Sequence, residues 1–597
     1  MRISDSPLGK YRCRPCLRFR QGPGRELLHF PLAGFNRATT STEAVAVTLW
    51  TAFRTIDEAA DHASKLIPSI SREALRRLYI ELHERGALIS LDELTGSSRS
   101  PAAPSTIDWL AIPTAGRPQV ALRALNSFSQ DLDRCGKNAA VFVSEDGDGL
   151  SPIFGAPLRR RPIRVFWAGL ERKTEFSALL ANGGGLPADV IKYLFQGSRH
   201  SDRHPGANRN TMLLQTLGSL VLSVDDDTLC CSGRVSETAR GTVVAGHERP
   251  EEIWCFDSQE NAAAFSISDR MDVLAAHEAQ LGRELPYAVH AAAQAEGVDL
   301  DTMCSHCLTS LIDKTGRIAI TSNGTVGDSG FYSDLGILSN RSPQTRRRIQ
   351  ALNDRYESFL RSRKVVRQAL RTTITHADAL SVGMFLGLDN RAAEGAALLP
   401  PFIPDFNNED GVFARTVSVC SADAYAAHLP FTLVHNPPAE RHYSLASDVE
   451  FRMSDVILWC TSAWRPAPGQ AEPISELGAW FQQLAAKAAP ELAEVLTLMA
   501  CSHRSARIEM LEGLLAEDGY ASAPWTDDVT TRIEGMRRAG EFDFSRPADL
   551  MLQNDDELIP AIQSILRSYG RLLEWWPAIA RRARELADDG THLGIQI

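Results

Sequence analysis

Residues 206 to 227 read GANRNTMLLQTLGSLVLSVDDD: a helical stretch from Asn208, an apolar β-prone run from Leu217 to Val224, then Asp225, Asp226 and Asp227. Three adjacent carboxylates repel one another, so such a cluster at a strand end calls for a cation. Mg²⁺ and Mn²⁺ take oxygen ligands and are commonly shared between one or two carboxylates and substrate phosphates. A nucleoside diphosphate supplies such phosphates. Alone, three aspartates would read as a solvated loop with helix-capping use; GANRN upstream and the apolar strand between them favour a binding site.

Upstream, a strand over Ile107 to Ile112 leads into Pro113-Thr114-Ala115-Gly116-Arg117-Pro118 and a helix carrying Val120, Leu122, Leu125 and Phe128. Strand, glycine-containing turn and helix open an α/β nucleotide-binding unit. A second strand, Ala139 to Val143, runs into the acidic turn Ser144-Glu145-Asp146-Gly147. Ligands of open α/β sheets bind at such carboxyl ends.

Pro-Thr-x-x-Arg-Pro, the acidic turn, Gly-x-x-Arg-Asn and an apolar strand ending in Asp-x-Asp together resemble family 2 glycosyltransferases over roughly residues 107 to 230. The resemblance implies an α/β fold with a GT-A-like, Rossmann-type core, a nucleotide-sugar donor, and Mn²⁺ or Mg²⁺. It assigns Thr114 and Arg117 to the first turn beside the nucleotide, Asp146 to the nucleobase and Arg209 to a position beside the base. Asp225 and Asp226 fall on the donor, Asp226 on its ribose side, and Asp227 contacts the metal with Asp225.

Further on, Leu399 to Pro404 leads into Asn407-Asn408-Glu409-Asp410-Gly411 and a predicted helix. Glu409-Asp410 resembles the acidic pair holding that family's catalytic base, with Asp410 the better candidate by position. A carboxylate stabilised by the positive end of the helix is the plainer alternative. The span from Asp227 to Glu409 is long for the family, so an insertion is expected at about 232–380. Within it, Asp328 of Val326-Gly327-Asp328-Ser329-Gly330 competes for the base role, although a tight turn is the simpler reading. A short strand, Leu429 to His435, ends in a histidine; resemblance to GT-A enzymes, which often complete the metal site with a late histidine, implies a third ligand that would favour Mn²⁺, and a structural histidine is the plainer alternative.

The first ninety residues read as a small module. CLRFRQGPGRELLHFPL predicts a β-hairpin, followed by helices at Ala44 to Phe53, from Thr55 through Leu66, and at Ser71 to Arg85, and a strand at Ala87 to Ile89. RPCLRFR, TIDEAADHASKLI and LHERGALI resemble winged-helix leader-peptide-recognition domains of enzymes that modify ribosomally made peptides, which implies a precursor-peptide partner. The expected organisation is 1–92 winged helix, 93–106 linker, 107–465 catalytic domain and 466–597 helical.

The chain has 597 residues and a net charge of −11, so no global basic field exists for nucleic acid or anionic membrane. No apolar run is long enough to span a bilayer and the start lacks a secretory apolar core, which makes the cytoplasm the expected location. The eleven cysteines suggest reduced thiols. Cys13-x-x-Cys16 and Cys304-x-x-Cys307 would make a zinc site only if their domains docked. The expected function is an inverting, metal-dependent glycosyltransferase; its rivals are a non-catalytic peptide- or partner-binding protein and a nucleotidyltransferase.

Overall fold

The computed structural model describes residues 9–96, 105–147, 163–182, 185–379, 383–391, 398–443, 451–466, 472–518, 523–538, 544 and 546–597. It is mixed α/β, organised around one large mixed sheet. Trp109–Thr114, Ala140–Glu145, Val165–Ala168 and Leu220–Val224 run parallel, with the first strand between the second and the fourth and the third outside the second. Ala140–Glu145 and Leu220–Val224 are buried throughout, as strands covered on both faces must be, hence their near-continuous apolar sequences. Helix Pro118–Arg134 starts on proline, whose missing N–H costs nothing there, and buries Ala121, Leu125, Phe128 and Leu132 at helical spacing.

Beyond Leu220–Val224 the sheet turns antiparallel: Phe385–Asp389 pairs with it, and Arg317–Asp328 pairs with Phe385–Asp389. Ala424–His435 then lies parallel to Arg317–Asp328. The region expected as an insertion, 232–380, thus contributes strands to the same sheet. Ala424–His435 is also longer than the short strand predicted at Leu429 to His435.

In the first module, Leu17–Gly22 and Arg25–Phe30 form the predicted hairpin, and Phe35–Thr40 adds a third strand that its polar sequence FNRATT conceals. The first helix is Ser41–Thr48, earlier than predicted, because Thr40 and Glu43 close a capping box; Thr55 and Glu58 close another for Ile56–Leu66. Arg12 ties this module to the body by donating to the Leu300 and Met303 carbonyls at 3.2 and 2.6 Å. Phe53, Ile89 and Leu94 share an apolar cluster with Val289 and Leu308.

The C-terminal part is helical, as expected, up to Leu558–Asp588, but the chain then adds Ile595–Gln596 antiparallel to Val165–Ala168. That strand covers an edge which would otherwise expose unpaired backbone groups. No described helix is long and apolar enough to cross a membrane.

Candidate functional site

The first and fourth strands are neighbours at the point where strand order reverses, and ligands of such sheets bind at the carboxyl ends there. A cleft of about 1120 Å³ lies there. Its lining includes all ten residues expected to bind donor or metal or to act as base: Thr114, Arg117, Asp146, Arg209, Asp225, Asp226, Asp227, Glu409, Asp410 and His435. Asp328 is fully buried and outside that lining, between Arg363 and Arg441, so it does not face the cleft.

Helix Pro205–Gln215 builds the site by giving Gly206, Asn208, Arg209 and Asn210 separate tasks. A Cβ on Gly206 would lie 1.8 Å from the Ile403 carbonyl oxygen, so only glycine permits this approach. Asn208 donates to the Thr114 carbonyl at 3.0 Å and accepts from Ser144, joining two strand ends. Asn210 donates to the Phe402 carbonyl at 3.0 Å and accepts from the Phe402 N–H at 2.8 Å, pinning the segment that carries Glu409 and Asp410.

Arg209 is the electrostatic hub. Buried over the Phe402 ring, it donates to Glu409 at 2.8 Å, Asp225 at 2.7 Å and Ser223 at 3.1 Å. Burial pushes the Glu409 carboxyl up to about 7, although Arg209 opposes the shift. Asp410 is half-buried; Oδ2 accepts from the Gly383 N–H and Oδ1 from the Gly411 N–H at 2.9 Å. Among the described residues it has no ion-pair partner.

The three aspartates occupy the turn after Leu220–Val224 and diverge in environment. Asp226, fully buried, accepts from Thr114 at 2.5 Å and pairs with Arg117. Burial lifts it to about 7 against those two partners. Burial also raises Asp225, despite Arg209. Asp227 faces His435 Nε2 at 3.2 Å, Arg117 at 3.3 Å and Arg441 at 3.8 Å. Burial alone would raise it, but His435 and the two arginines hold it well below the usual carboxylate range.

His435 donates from Nδ1 to the Asp328 carbonyl at 2.7 Å, which turns Nε2 toward Asp227. That outer hydrogen bond is how metal-ligating histidines are fixed. The 3.2 Å between Nε2 and Asp227 Oδ1 suits two ligands of one ion at about 2.1 Å. Asp227 and His435 therefore fit a divalent cation; Asp225 is engaged by Arg209 and does not converge with them.

Among the described residues, nine carboxylates and nine arginines line the cleft, with no lysine. Apart from Arg117 and Arg209, which the sequence motifs mark, these arginines carry no common motif, and sequence reading missed Arg203, Arg249, Arg363, Arg415, Arg441, Arg452 and Arg507. It also missed His247, His376 and Asp378, the one cluster of three metal-ligating side chains among the described residues whose atoms lie within 4.8 Å of one another. The readable signal was Thr375-His376-Ala377-Asp378, a His-x-Asp at a strand end. The two Cys-x-x-Cys pairs do not combine: Cys304 and Cys307 contact each other at 3.3 Å, and no four-sulfur cluster forms among the described residues. No protein-family model matches the chain, and no curated protein matches it.

Proposed function

We propose that the chain is a nucleotide-sugar-dependent glycosyltransferase with a GT-A-like core. The observation that carries this reading is the meeting of Thr114, Arg117 and the three aspartates where strand order reverses, at the carboxyl ends of the first and fourth parallel strands. A cleft whose described lining carries arginines and no lysine supports a phosphate-bearing ligand, because the planar guanidinium matches phosphate with paired hydrogen bonds. Half-exposed Arg117 and Arg441 present N–H groups for the diphosphate. Asp227 and His435 would hold Mn²⁺ or Mg²⁺, which supplies charge stabilisation for the leaving diphosphate.

The acceptor oxygen or sulfur attacks the anomeric carbon as that carbon's bond to the diphosphate oxygen breaks. The acceptor proton passes to Asp410, and the electron pair leaves with the nucleoside diphosphate. Direct displacement inverts the anomeric centre.

A peptide acceptor is supported by the first module, read as a winged-helix recognition domain. Its edge strand Leu17–Gly22 has no partner on its outer side among the described residues, and Leu17 and Phe19 are 53% and 49% exposed. Extended peptides bind such edges by adding a strand.

Thermal-shift measurements with nucleoside diphosphate sugars, with and without Mn²⁺, test the reading. At least one sugar nucleotide should raise Tm in a metal-dependent way, and Asp227→Asn should abolish the increase. No shift with any sugar nucleotide would sink the proposal, and release of a nucleoside monophosphate in place of the diphosphate would move the chemistry to nucleotidyl transfer.

A further inference from the structure

Thr242–Val244 and Thr372–His376 lie side by side and parallel, so residues beyond their carboxyl ends emerge together. His247 follows the first strand, His376 ends the second, and Asp378 sits in the turn Ala377–Ala379 directly after it. The register is fixed there by backbone bonds from Ala245 to Ile374 and from His376 to Gly246, at 2.8 and 3.2 Å. Neither histidine belongs to the set around Asp227.

Asp378 Oδ1 lies 3.0 Å from His247 Nδ1 and 3.3 Å from His376 Nδ1. Two ligands held at 2.0–2.1 Å by one ion, at octahedral to tetrahedral angles, stand about 2.9–3.4 Å apart. The other carboxylate oxygen accepts from Arg415 at 3.0 Å, and Ser418 Oγ lies 3.2 Å from His376 Nδ1. Arg415 stands on helix Glu409–Cys420, which therefore orients the carboxylate as the outer partner of a metal site does, while Ser418 of the same helix shares His376 Nδ1 with Asp378. His376 is buried, whereas the His247 side chain is 54% exposed and Asp378 lines the cleft, which leaves an approach from solvent.

We infer that His247, His376 and Asp378 form a second metal site, for a first-row transition ion of the Zn²⁺ class, with a coordination position open toward the cleft. Two imidazoles with one carboxylate suit Zn²⁺ or Fe²⁺ and disfavour Mg²⁺ and Ca²⁺, which prefer oxygen throughout. Three protein ligands plus an open position is the arrangement of metal ions that exchange ligands, in contrast to closed structural sites. The alternative is an ion pair in which two histidines share one aspartate without metal.

Zn²⁺ titration of the full-length, chelator-stripped protein against a chromophoric competitor separates the two. Wild type should bind a tight equivalent and gain thermal stability from it. His247→Ala and Asp378→Asn should each weaken that equivalent more than about tenfold, while Asp227→Asn and the remote His592→Ala retain it. His247 is exposed, so its variant should fold, and circular dichroism checks this. Unchanged Zn²⁺ affinity in folded His247→Ala, or loss of the equivalent in Asp227→Asn but not in His247→Ala, would overturn the assignment.

Discussion

Replacing Arg209 with methionine removes a cation that meets both Glu409 and Asp225 while keeping most of the side-chain volume over Phe402. Hydrogen bonds to charged groups contribute about 1.5–3 kcal/mol each. Asp225 is 30% exposed, so water takes over part of its share, and a loss of roughly 2–4 kcal/mol at pH 7 follows. The pH dependence is more diagnostic. Glu409 has an ordinary value of 4.5 and a folded value of about 7, so between these the unfolded chain has released a proton that the native protein keeps, and stability falls as pH rises. Above 7 the wild-type carboxylate is ionised beside Arg209 and this slope ends. Without Arg209 the folded value rises further and the decline continues, so the deficit of the variant should grow by about 1.4 kcal/mol per pH unit, or about 2 kcal/mol by pH 8.5. Urea unfolding from pH 6 to 8.5 measures it, and Arg209→Met/Glu409→Gln should remove the extra slope. A deficit below about 1 kcal/mol at pH 7, or one flat between pH 7 and 8.5, would refute the coupling.

Three other perturbations test separate parts of the structure. Gly206→Ala drives a methyl into the Ile403 carbonyl and should cost more than about 3 kcal/mol in denaturant unfolding; a cost below 1 kcal/mol would mean that the contact is not required. His277 is fully buried against Thr321 and Asn323, and burial lowers it to about 4 even though Asn323 opposes the shift. As pH falls from 6.5 toward 4 the unfolded chain takes up this proton first, so stability drops by about 2 kcal/mol at pH 5, and His277→Gln should flatten that part of the profile. Arg12→Ala deletes both bonds that hold the first module to Leu300 and Met303; hydrogen exchange should accelerate across residues 300–304, and unchanged protection would show that the apolar contacts suffice.

What could be read from sequence follows chain locality. Strand Leu220–Val224, the turn of aspartates and the Thr114 turn are each complete within a few residues, so periodicity and glycine placement reveal them. The capping boxes at Thr40 and Thr55 were equally local, although only the second was read. Region 232–380 looked like an insertion because its strands pair with partners far away, Arg317–Asp328 with Ala424–His435 and Thr242–Val244 with Thr372–His376. Register between distant strands leaves no trace in a single sequence, and so the His247, His376 and Asp378 cluster went unseen while every cleft residue tied to a local motif was found. The last strand, Ile595–Gln596, was hidden for another reason: two residues are too few to show a period.

The choice among three candidate bases turns on what already binds each carboxylate. Asp328 is enclosed by Arg363, Arg441 and the His435 ring, which hold it ionised despite its burial, and it has no face on the cleft. Glu409 reaches the cleft but spends its charge on Arg209, and a proton delivered there would loosen the contact that positions Asp225. Asp410 accepts only backbone N–H groups, which orient a carboxylate without neutralising it, and it stands in the first turn of Glu409–Cys420 where the helix favours negative charge. Adjacent in sequence, the two acidic residues would divide the work under the proposed function: Glu409 holds Arg209, and Asp410 would take the proton. Under this division Glu409→Gln should lower donor affinity by loosening the Arg209 contact with Asp225, whereas Asp410→Asn should spare donor affinity and remove transfer. Loss of donor binding in Asp410→Asn with transfer retained in Glu409→Gln would reverse the assignment.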